Sequence, residues 1–553
     1  MLKVRTTKTG SGKIAVQVID QAHHKTKIIK HIGSAGNNEE LTLLKTKAGS
    51  YIAEKMNTYP LFPEFFGVSR PALLSELEQV FDRLVITDAY HTFAYEFLSY
   101  FYELTGFTHL RNNLLQDLSF IRIIEPCSKI RSLALLQKYF GISYGETAVY
   151  ETVSKLILLK DDVEKTAVKY AKKEFVFDFS MVFYDVTTLY YETFSEDEDS
   201  FDSEGNMIEK GLRKNGRGKE IKIGQPIILI GLMVTKEGFP VAYDVYEGNT
   251  FEGDTFIPSI LSFQKKHTIQ TLTIVADAAM ISLENVEKIK EKNLSYIVGA
   301  RMGNLKQEKI KQIHTELIGL NQTREELEKI NGESIRIETK SGLLLCDFSI
   351  KRYRKDKREM EKQITKAEYL VSKNSEGKMT KFLILKQMEE NTDKKKKKKG
   401  RDKKEKTYEI NTALIEKTKL LLGIKGYYTN LFEKDERLTN QDIINHYHSL
   451  WHVEKAFRIA KNDLQARPIF HRKREAIEAH VLIVFVSLCV AKSIEIKTGY
   501  SIQKVKEMIW DIQDIHFVDT DMGKHLKKRM NTRGNEMATF LEKQKNVDKN
   551  LES

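Results

Sequence analysis

The chain has 553 residues, of which 41% are hydrophobic and 10% aromatic, so it can form several buried cores and is not a largely disordered protein. Its 89 basic and 77 acidic residues leave a net charge of +12, which indicates a polyanionic partner only where the basic residues cluster. The 3 cysteines are isolated and have no CxxC spacing, which argues against a disulfide framework or a cysteine zinc site.

Two segments bear on the location of the protein. The stretch "MLKVRTTKTG" lacks the apolar core of a signal peptide. The longest apolar run, residues 481–491, is too short to span a bilayer and predicts a buried helix. We therefore expect a cytoplasmic protein with no membrane partner.

The N-terminal region contains two segments with different sequence patterns. Residues 1–36 alternate polar and apolar side chains around the turn "KTGSGK", which predicts a small β unit. The turn is not a phosphate-binding loop, because Ile14 replaces the required Ser or Thr and a strand follows, so no nucleotide cofactor is expected. Residues 37–172 have helical periodicity, and two helical patterns flank Gly141. This outline is that of a DNA-binding helix-turn-helix, although most such outlines are plain helical hairpins.

Residues 173–302 are rich in β-branched and aromatic residues and predict the first part of a catalytic core. Strands are expected within 175–192, 226–235, 240–249 and 272–280, with the second and third joined by the hairpin turn "KEGF". A helix and a further strand follow. This order predicts an α/β fold with a mixed sheet and helices packed against it.

The remainder of the chain is expected to form three parts. Residues 303–435 predict a β-rich insertion that carries a Lys-rich arm at 394–406. Lys394, Lys395 and Lys396 of this arm are candidate DNA contacts, although a solvated lysine run is an equal alternative. Residues 436–500, with helices at 441–464 and 476–494, predict the second part of the core, and 501–553 a C-terminal helical tail.

Three carboxylates stand in otherwise apolar surroundings. Asp185 lies inside the first core strand, and Asp277 ends the fourth, where open α/β sheets place ligands. Glu454 lies on the border of the apolar stripe of the predicted 441–464 helix. If the three converge, they need a cation between them, and hard oxygen ligands select Mg²⁺ or Mn²⁺. Capping and ion-pair roles are the alternatives.

Several segments resemble those of DDE-type insertion-sequence transposases, in particular the IS-four-like superfamily in its branch with a long β-rich insertion before the glutamate. The segments are "FYDVTTLYYE", "GLMVTKEGFPVAYDVYEGNTFEGDT", "IVADAAMIS", "YIVGAR" and "LWHVEKAFRIAK". The resemblance implies a ribonuclease-H-like core in which Asp185, Asp277 and Glu454 are the catalytic, metal-binding triad. It also implies a cofactor of Mg²⁺ or Mn²⁺, with two ions expected.

The superfamily signature Tyr-x2-Arg-x3-Glu-x6-Lys matches Tyr447, Leu450, Glu454 and Lys461 with every spacing intact. The resemblance implies that Tyr447 and Lys461 contact the DNA of the element ends. Leu450 departs from the pattern, since arginine is usual there.

Arg458, one helical turn beyond Glu454, and His448 are alternatives for the phosphate contact expected at that position.

The resemblance implies an enzyme that cleaves the ends of its insertion sequence and joins the 3′-hydroxyl ends to target DNA by two-metal-ion chemistry. Double-stranded DNA is then the partner, and a dimer is expected in the complex that holds the two ends. A bacterial, cytoplasmic protein that associates with the nucleoid when bound to DNA is expected. Two alternatives remain open: a ribonuclease-H-like, structure-selective nuclease without strand transfer, and a non-catalytic DNA-binding relic.

Overall fold

The structure is a computed structural model that describes residues 2–22, 25–56, 80–216, 224–280, 283–319, 323–339, 342–373, 380–387 and 406–552. The chain divides into two units. One comprises Met1–Ala89 and Asp514–Met530, and the other Tyr90–Gln513 and Asn531–Ser553. The predicted DNA contacts Lys394, Lys395 and Lys396 lie outside the described residues.

The described strands are, in chain order, β1 (Leu2–Lys8), β2 (Ile14–Ala22), β3 (Lys25–Ala35), β4 (Leu84–Tyr90), β5 (Met181–Tyr190), β6 (Ser200–Phe201), β7 (Met207–Glu209), β8 (Ile227–Val234), β9 (Pro240–Glu247), β10 (Thr273–Ala276), β11 (Ser295–Gly299), β12 (Ser334–Thr339), β13 (Gly342–Phe348), β14 (Leu383–Gln387), β15 (Lys406–Ile410), β16 (Ile424–Thr429), β17 (Asp514–Asp519) and β18 (His525–Arg529).

The described α-helices are α1 (Asn38–Met56), α2 (Thr92–Leu104), α3 (Asn113–Ile124), α4 (Lys129–Phe140), α5 (Glu146–Val153), α6 (Lys160–Phe175), α7 (Glu252–His267), α8 (Leu283–Glu291), α9 (Gln307–Leu317), α10 (Arg324–Lys329), α11 (Ile350–Lys373), α12 (Thr412–Lys419), α13 (Asn440–His448), α14 (Trp451–Arg458), α15 (Arg474–Thr498), α16 (Ile502–Trp510) and α17 (Glu536–Glu552). Short 3₁₀ segments and one π-helix, Ile459–Asp463, connect some of them.

The first unit contains two small sheets. Strands β1, β2 and β3 form an antiparallel sheet, as the alternation of residues 1–36 predicts. The buried Val16 and Val18 of β2 pack with Ala48 of α1. Strands β18, β17 and β4 form the other sheet, in which the fully buried Asp514 is paired with Arg529 at 2.7 Å. The C-terminal region, expected to be helical, therefore also contributes two strands.

The second unit is built around an eight-stranded sheet with the order β12-β13-β16-β11-β10-β5-β8-β9. Strand β10 is parallel to β5 and to β11, whereas β8 and β9 run antiparallel on the other side of β5. The mixed α/β architecture predicted for residues 173–302 is thus present. The predicted hairpin turn joins β8 to β9, and Gly238 adopts a positive φ of 81° there.

Helix α15 is long and largely apolar. By length and composition it could cross a membrane, with a hydropathy of 1.9 over its best window, but 94% of that window is buried inside the protein. Its residues Leu482 and Val486 are fully buried in the main core. The helix therefore behaves as the buried helix predicted from the run at 481–491, and it is longer than that run.

The region 303–435 mixes helices with strands. Strands β12, β13 and β16 extend the large sheet by antiparallel pairing. The remaining described elements form small cores of their own, one around Leu344 and Phe348 and another around Met360 and Phe382. Helix α11, which was not expected in a β-rich insertion, runs for 24 residues.

The single helix predicted over 441–464 is wrong. Helix α13 ends at His448, α14 begins at Trp451, and α14 continues into the π-helix. At the break the Ser449 N–H keeps its helical bond to the Asn445 carbonyl at 3.1 Å, whereas the Leu450 N–H bonds to the Tyr447 carbonyl at 3.0 Å, so the turn tightens to i→i−3 bonding. The π-helix is closed by the 2.9 Å bond from Leu464 N–H to Ile459 O.

Candidate active site

A cavity of about 450 Å³ lies at the carboxyl ends of β10 and β11. The N-terminal end of β16 reaches the same edge of the sheet, because β16 is antiparallel to β11. Helices α13 and α14 and helix α11 supply the other walls. The residues that line the cavity are Asp277, Ala278, Gly299, Ala300, Met302, Arg352, Ile424, Lys425, Gly426, Tyr447, His448, Leu450, Trp451 and Glu454.

Asp277 is exposed and directly follows the last residue of β10. Its Oδ1 accepts a hydrogen bond from the Ala278 N–H at 2.6 Å and another from the Tyr447 hydroxyl at 3.3 Å. Gly299 makes this second contact possible, because a Cβ at this position would lie 2.5 Å from the Tyr447 hydroxyl oxygen. The arrangement fixes the orientation of the Asp277 carboxylate toward the cavity.

Tyr447 is only 5% exposed. Burial raises the pKa of its phenol, and the charge of Asp277 raises this pKa further. The phenol is therefore neutral and donates its proton to the carboxylate. Its ring packs against that of Tyr427, with the ring centroids 4.8 Å apart.

Glu454 lies in the first turn of α14, with an exposed side chain in the wall of the same cavity. The sequence predicted that this carboxylate lies at the border of a buried apolar stripe. In the structure the side chain is exposed, and therefore more hydrated than predicted. Among the described residues no ion pair of Glu454 is formed, so the ion-pair alternative has no support there. Asp277 and Glu454 thus line the same cavity.

Asp185 lies on β5, next to β10 in the sheet. The pairing of the two parallel strands ends with Tyr184 opposite Ala276. Asp185 directly follows the first of these residues and Asp277 the second, so the two aspartates occupy matching positions. Asp185 is half-buried, and its Oδ1 accepts a 2.8 Å hydrogen bond from the Val186 N–H. It is not part of the wall of the cavity that holds Asp277 and Glu454.

The carboxylates of Asp185, Asp277 and Glu454 are not arranged as the ligands of a metal ion. Within the described ranges, no group of three or more His, Cys, Asp or Glu side chains is placed to hold a metal ion. The donor chemistry nevertheless suits a hard cation, because two carboxylates share a cavity and the third occupies the matching position on the adjacent strand.

Two cations in this cavity were missed by the sequence reasoning. Lys425, near the start of β16, has its Nζ 4.2 Å from the centroid of the Tyr447 ring. Burial, together with the charge of Arg352, lowers the pKa of the Lys425 ammonium to about 8. The charges of Asp347, Asp277 and Glu454 oppose this shift. Arg352, on α11, is the second cation in the wall.

No signal in the sequence could have placed either cation. Lys425 occurs in the strand "IKGYYT", and only the antiparallel pairing of β16 with β11 brings it to the edge where Asp277 lies. Arg352 belongs to a helix with several other basic residues, none of which is distinguished by spacing.

Of the remaining candidate DNA contacts, His448 lies in the wall of this cavity, whereas Arg458 and Lys461 do not. Arg458 is exposed at the end of α14, one turn from Glu454. Lys461 lies in the π-helix and lines a separate, mainly apolar cavity of about 40 Å³ with Phe457 and Leu488. Leu450, in place of the usual arginine, is 6% exposed and forms part of the wall beside Glu454.

A sequence model of the family described as "Transposase DDE domain" matches residues 213–490, which is half of the chain. The matched range includes Asp277, Glu454, Lys425 and Arg352 and begins after Asp185. Among curated proteins no match was found. Family membership implies DNA as the partner of the protein. The chain belongs to the DDE-type insertion-sequence transposases.

Proposed function

We propose that this transposase cuts DNA at the ends of its own insertion sequence and joins the freed 3′-hydroxyl ends to a target DNA. The observation that carries the proposal is the meeting of Asp277 and Glu454 in one cavity at the carboxyl ends of parallel strands, within the region matched by the DDE family. Ligand and catalytic sites of open α/β sheets favour this edge.

Asp185, Asp277 and Glu454 would hold Mg²⁺ or Mn²⁺, and two ions are proposed. Their carboxylate oxygens are the ligands that such ions prefer. When bound, the metal supplies an activated nucleophile and stabilises the leaving oxygen of the phosphodiester. Because Asp277 and Glu454 already share a cavity, the remaining requirement is an approach of the Asp185 carboxylate from the neighbouring strand.

The chain's own groups contribute binding and orientation. Tyr447 holds Asp277 through its hydroxyl, so the carboxylate does not need to reorganise when the substrate binds. Lys425 and Arg352 place two positive side chains in the wall of the cavity, where they would contact the scissile phosphate and offset its negative charge.

A ribonuclease-H-like core is part of the proposal. The order β9-β8-β5-β10-β11, with antiparallel pairing up to β5 and parallel pairing beyond it, supports this assignment. We further propose that residues 173–302 and 436–500 form this core, that a dimer pairs the two DNA ends, and that the reaction takes place on DNA in the cytoplasm.

A non-catalytic DNA-binding relic is the second candidate function. The observation that favours it is the failure of three acidic or metal-binding side chains to group within the described residues. The two candidates differ in a single measurable property, metal-dependent strand cleavage.

The test uses the full chain and a labelled duplex that carries the DNA flanking its reading frame. The proposal expects single-strand nicks at the element boundary with Mg²⁺ or Mn²⁺, none in excess EDTA, and joined products when a target duplex is added. Nicks without joined products would indicate the nuclease alternative. Specific binding without any nick in either metal would indicate the relic.

A further inference from the structure

A second cavity, of about 270 Å³, lies at the N-terminal end of α4. Helix α3, helix α5, the segment after the π-helix and the start of α15 form its other walls. Its basic and aromatic lining residues are Arg122, Lys129, Tyr150, Arg467, Phe470, His471 and His480. Among the described residues in the wall none is Asp or Glu, so the charged side chains of the wall are all basic.

Two of these cations are buried. Arg122 is 5% exposed and Lys129 is 7% exposed. The guanidinium of Arg122 donates to three backbone carbonyls, those of Leu464 (3.4 Å), Gln465 (3.3 Å) and Cys127 (3.3 Å). These carbonyls fix the guanidinium in place but carry no net charge. Neither cation forms an ion pair with a carboxylate in the part of the chain that the structure describes.

The partner of Lys129 is also neutral. Nε2 of His480 donates to the Ala466 carbonyl at 3.0 Å, which leaves Nδ1 as an acceptor for the Lys129 ammonium at 3.4 Å. Burial lowers the pKa of Lys129, and the nearby Arg122 lowers it further. A buried cation without a countercharge destabilises a fold, and an anion in the cavity would remove that cost.

The N-terminal end of α4 adds to the positive potential in this cavity. Ser128 is the N-cap of this 12-residue helix and accepts a 3.4 Å hydrogen bond from the Arg131 N–H. Ser128, Lys129 and Ile130 all line the cavity, so the first turn of α4 faces it. The N-terminal turn of a helix has backbone N–H groups without helical acceptors, and its dipole favours negative charge.

We propose that this cavity binds a phosphate group, held by Lys129, Arg122 and the first turn of α4. A phosphate offers several acceptor oxygens and a charge that matches two neighbouring cations. The group can come from the backbone of DNA or from a small phosphate-bearing molecule. Only the DNA source rests on the proposed function.

The position of the cavity supports DNA as the source. The Ile469 N–H, between the lining residues Arg467 and His471, donates a 3.2 Å hydrogen bond to the carbonyl of Tyr190. Tyr190 and Asp185 lie on the same strand, β5, separated by roughly 17 Å at the usual rise of a strand. That distance corresponds to about five nucleotides along a DNA strand, so one duplex could reach both sites.

The first measurement compares thermal unfolding in inorganic phosphate and in chloride at equal ionic strength. Phosphate is expected to raise the Tm of the wild type and of Lys138→Met, a control that removes an exposed charge from the same helix. Lys129→Met should lose this rise. In chloride its Tm should equal or exceed that of the wild type, because an uncompensated buried charge has been replaced by an apolar side chain.

The second measurement is the salt dependence of binding to a duplex of unrelated sequence. If the cavity takes a DNA phosphodiester, the slope of log K against log salt should fall in Lys129→Met by about 0.9 relative to Lys138→Met. Loss of the phosphate effect with an unchanged slope would assign the cavity to a small phosphate compound. A wild-type phosphate response and slope in Lys129→Met would overturn the proposal.

A surface variant keeps the test valid if Lys129→Met does not fold. Tyr150 is 55% exposed at the wall of the cavity, so Tyr150→Glu places a negative charge there without disturbing buried residues. The proposal expects this variant to lose the phosphate effect and Tyr150→Gln to keep it. Equal responses of the two variants would contradict the proposal.

Discussion

The hydroxyl of Tyr447 donates a 3.3 Å hydrogen bond to Oδ1 of Asp277, which joins the first residue of the helical signature to the strand carboxylate. Tyr447 is 5% exposed, so this contact, rather than a solvent-facing surface, defines its surroundings. The geometry supports a positioning role for Tyr447. Its contact with transposon-end DNA stays a prediction.

Tyr447→Phe should slow nicking without unfolding the protein. The substitution removes the hydrogen bond to Asp277 but keeps the packing against Tyr427, so the free energy of unfolding should change by no more than about 1 kcal/mol. Because Asp277 is then less well oriented, nicking should fall about tenfold and half-saturation should need more Mg²⁺. Nicking rates measured across a Mg²⁺ titration test this. An unchanged Mg²⁺ requirement would make Tyr447 a packing residue only.

Lys425→Met should impair the chemistry while leaving the fold intact. It removes a half-buried cation from the cavity wall, so nicking should fall about a hundredfold because negative charge on the phosphate is less well offset. Burial already opposes the charged form of Lys425, with a pKa lowered to about 8, so the Tm should not decrease. Single-turnover nicking and thermal unfolding are the two readouts. Lys351→Met, at an exposed position beside Arg352, is the control and should nick normally.

The strands of the large sheet were predictable because their residues are apolar and β-branched and their turns are marked. The "KEGF" turn, for example, forms the hairpin between β8 and β9 with Gly238 at a positive φ. The break after His448 was not predictable from periodicity, since both sides of it keep a helical pattern and only a local tightening to i→i−3 bonding at Leu450 separates the two helices.

The candidate site was only partly predictable, because some of its residues are brought together by long-range packing. Asp277 and Glu454 were found because each stands out in its local sequence and in a known motif. Lys425 and Arg352 reach the cavity through the order of strands and the packing of an inserted helix, which are long-range properties. Lys461 is separated from Glu454 because the π-helix changes the phase expected from regular helical spacing.

Lys266→Met should destabilise the second unit by about 3 kcal/mol. Glu164 is 2% exposed and is paired with Lys266, with Lys160 more distant at 3.7 Å. Removing Lys266 leaves a buried carboxylate with a weaker partner, which is costly. Chemical denaturation measures the change. Lys165→Met, which removes an exposed pair with Asp162, is the control and should cost less than about 1 kcal/mol.

His267 should contribute to acid destabilisation. Its Nε2 is buried without a hydrogen-bond partner among the described residues, and burial, with Lys266 and Lys172 nearby, lowers its pKa from 6.5 to about 4. Between these values the unfolded chain binds a proton that the folded protein does not, so stability falls as the pH drops. Above 6.5 both states are neutral and the contribution vanishes.

His267→Phe should therefore reduce the loss of Tm between about pH 7 and about pH 5, by about 2 °C or more. The new ring can keep the contacts with Phe179 and Phe263, whose centroids lie 5.9 and 4.7 Å from that of His267. An acid response equal to that of the wild type would show that His267 is protonated in the folded protein.

We propose that DNA is cut in the cavity shared by Asp277 and Glu454. Single-turnover nicking of element-end DNA by Asp277→Asn and Glu454→Gln, with binding followed by gel shift, tests it most directly. Glu436→Gln, at an exposed residue outside the cavity wall, is the control. Both variants should bind the ends as the wild type does and nick about a hundredfold to a thousandfold more slowly, while Glu436→Gln should nick normally. Nicking at the wild-type rate by either Asp277→Asn or Glu454→Gln would contradict the proposal.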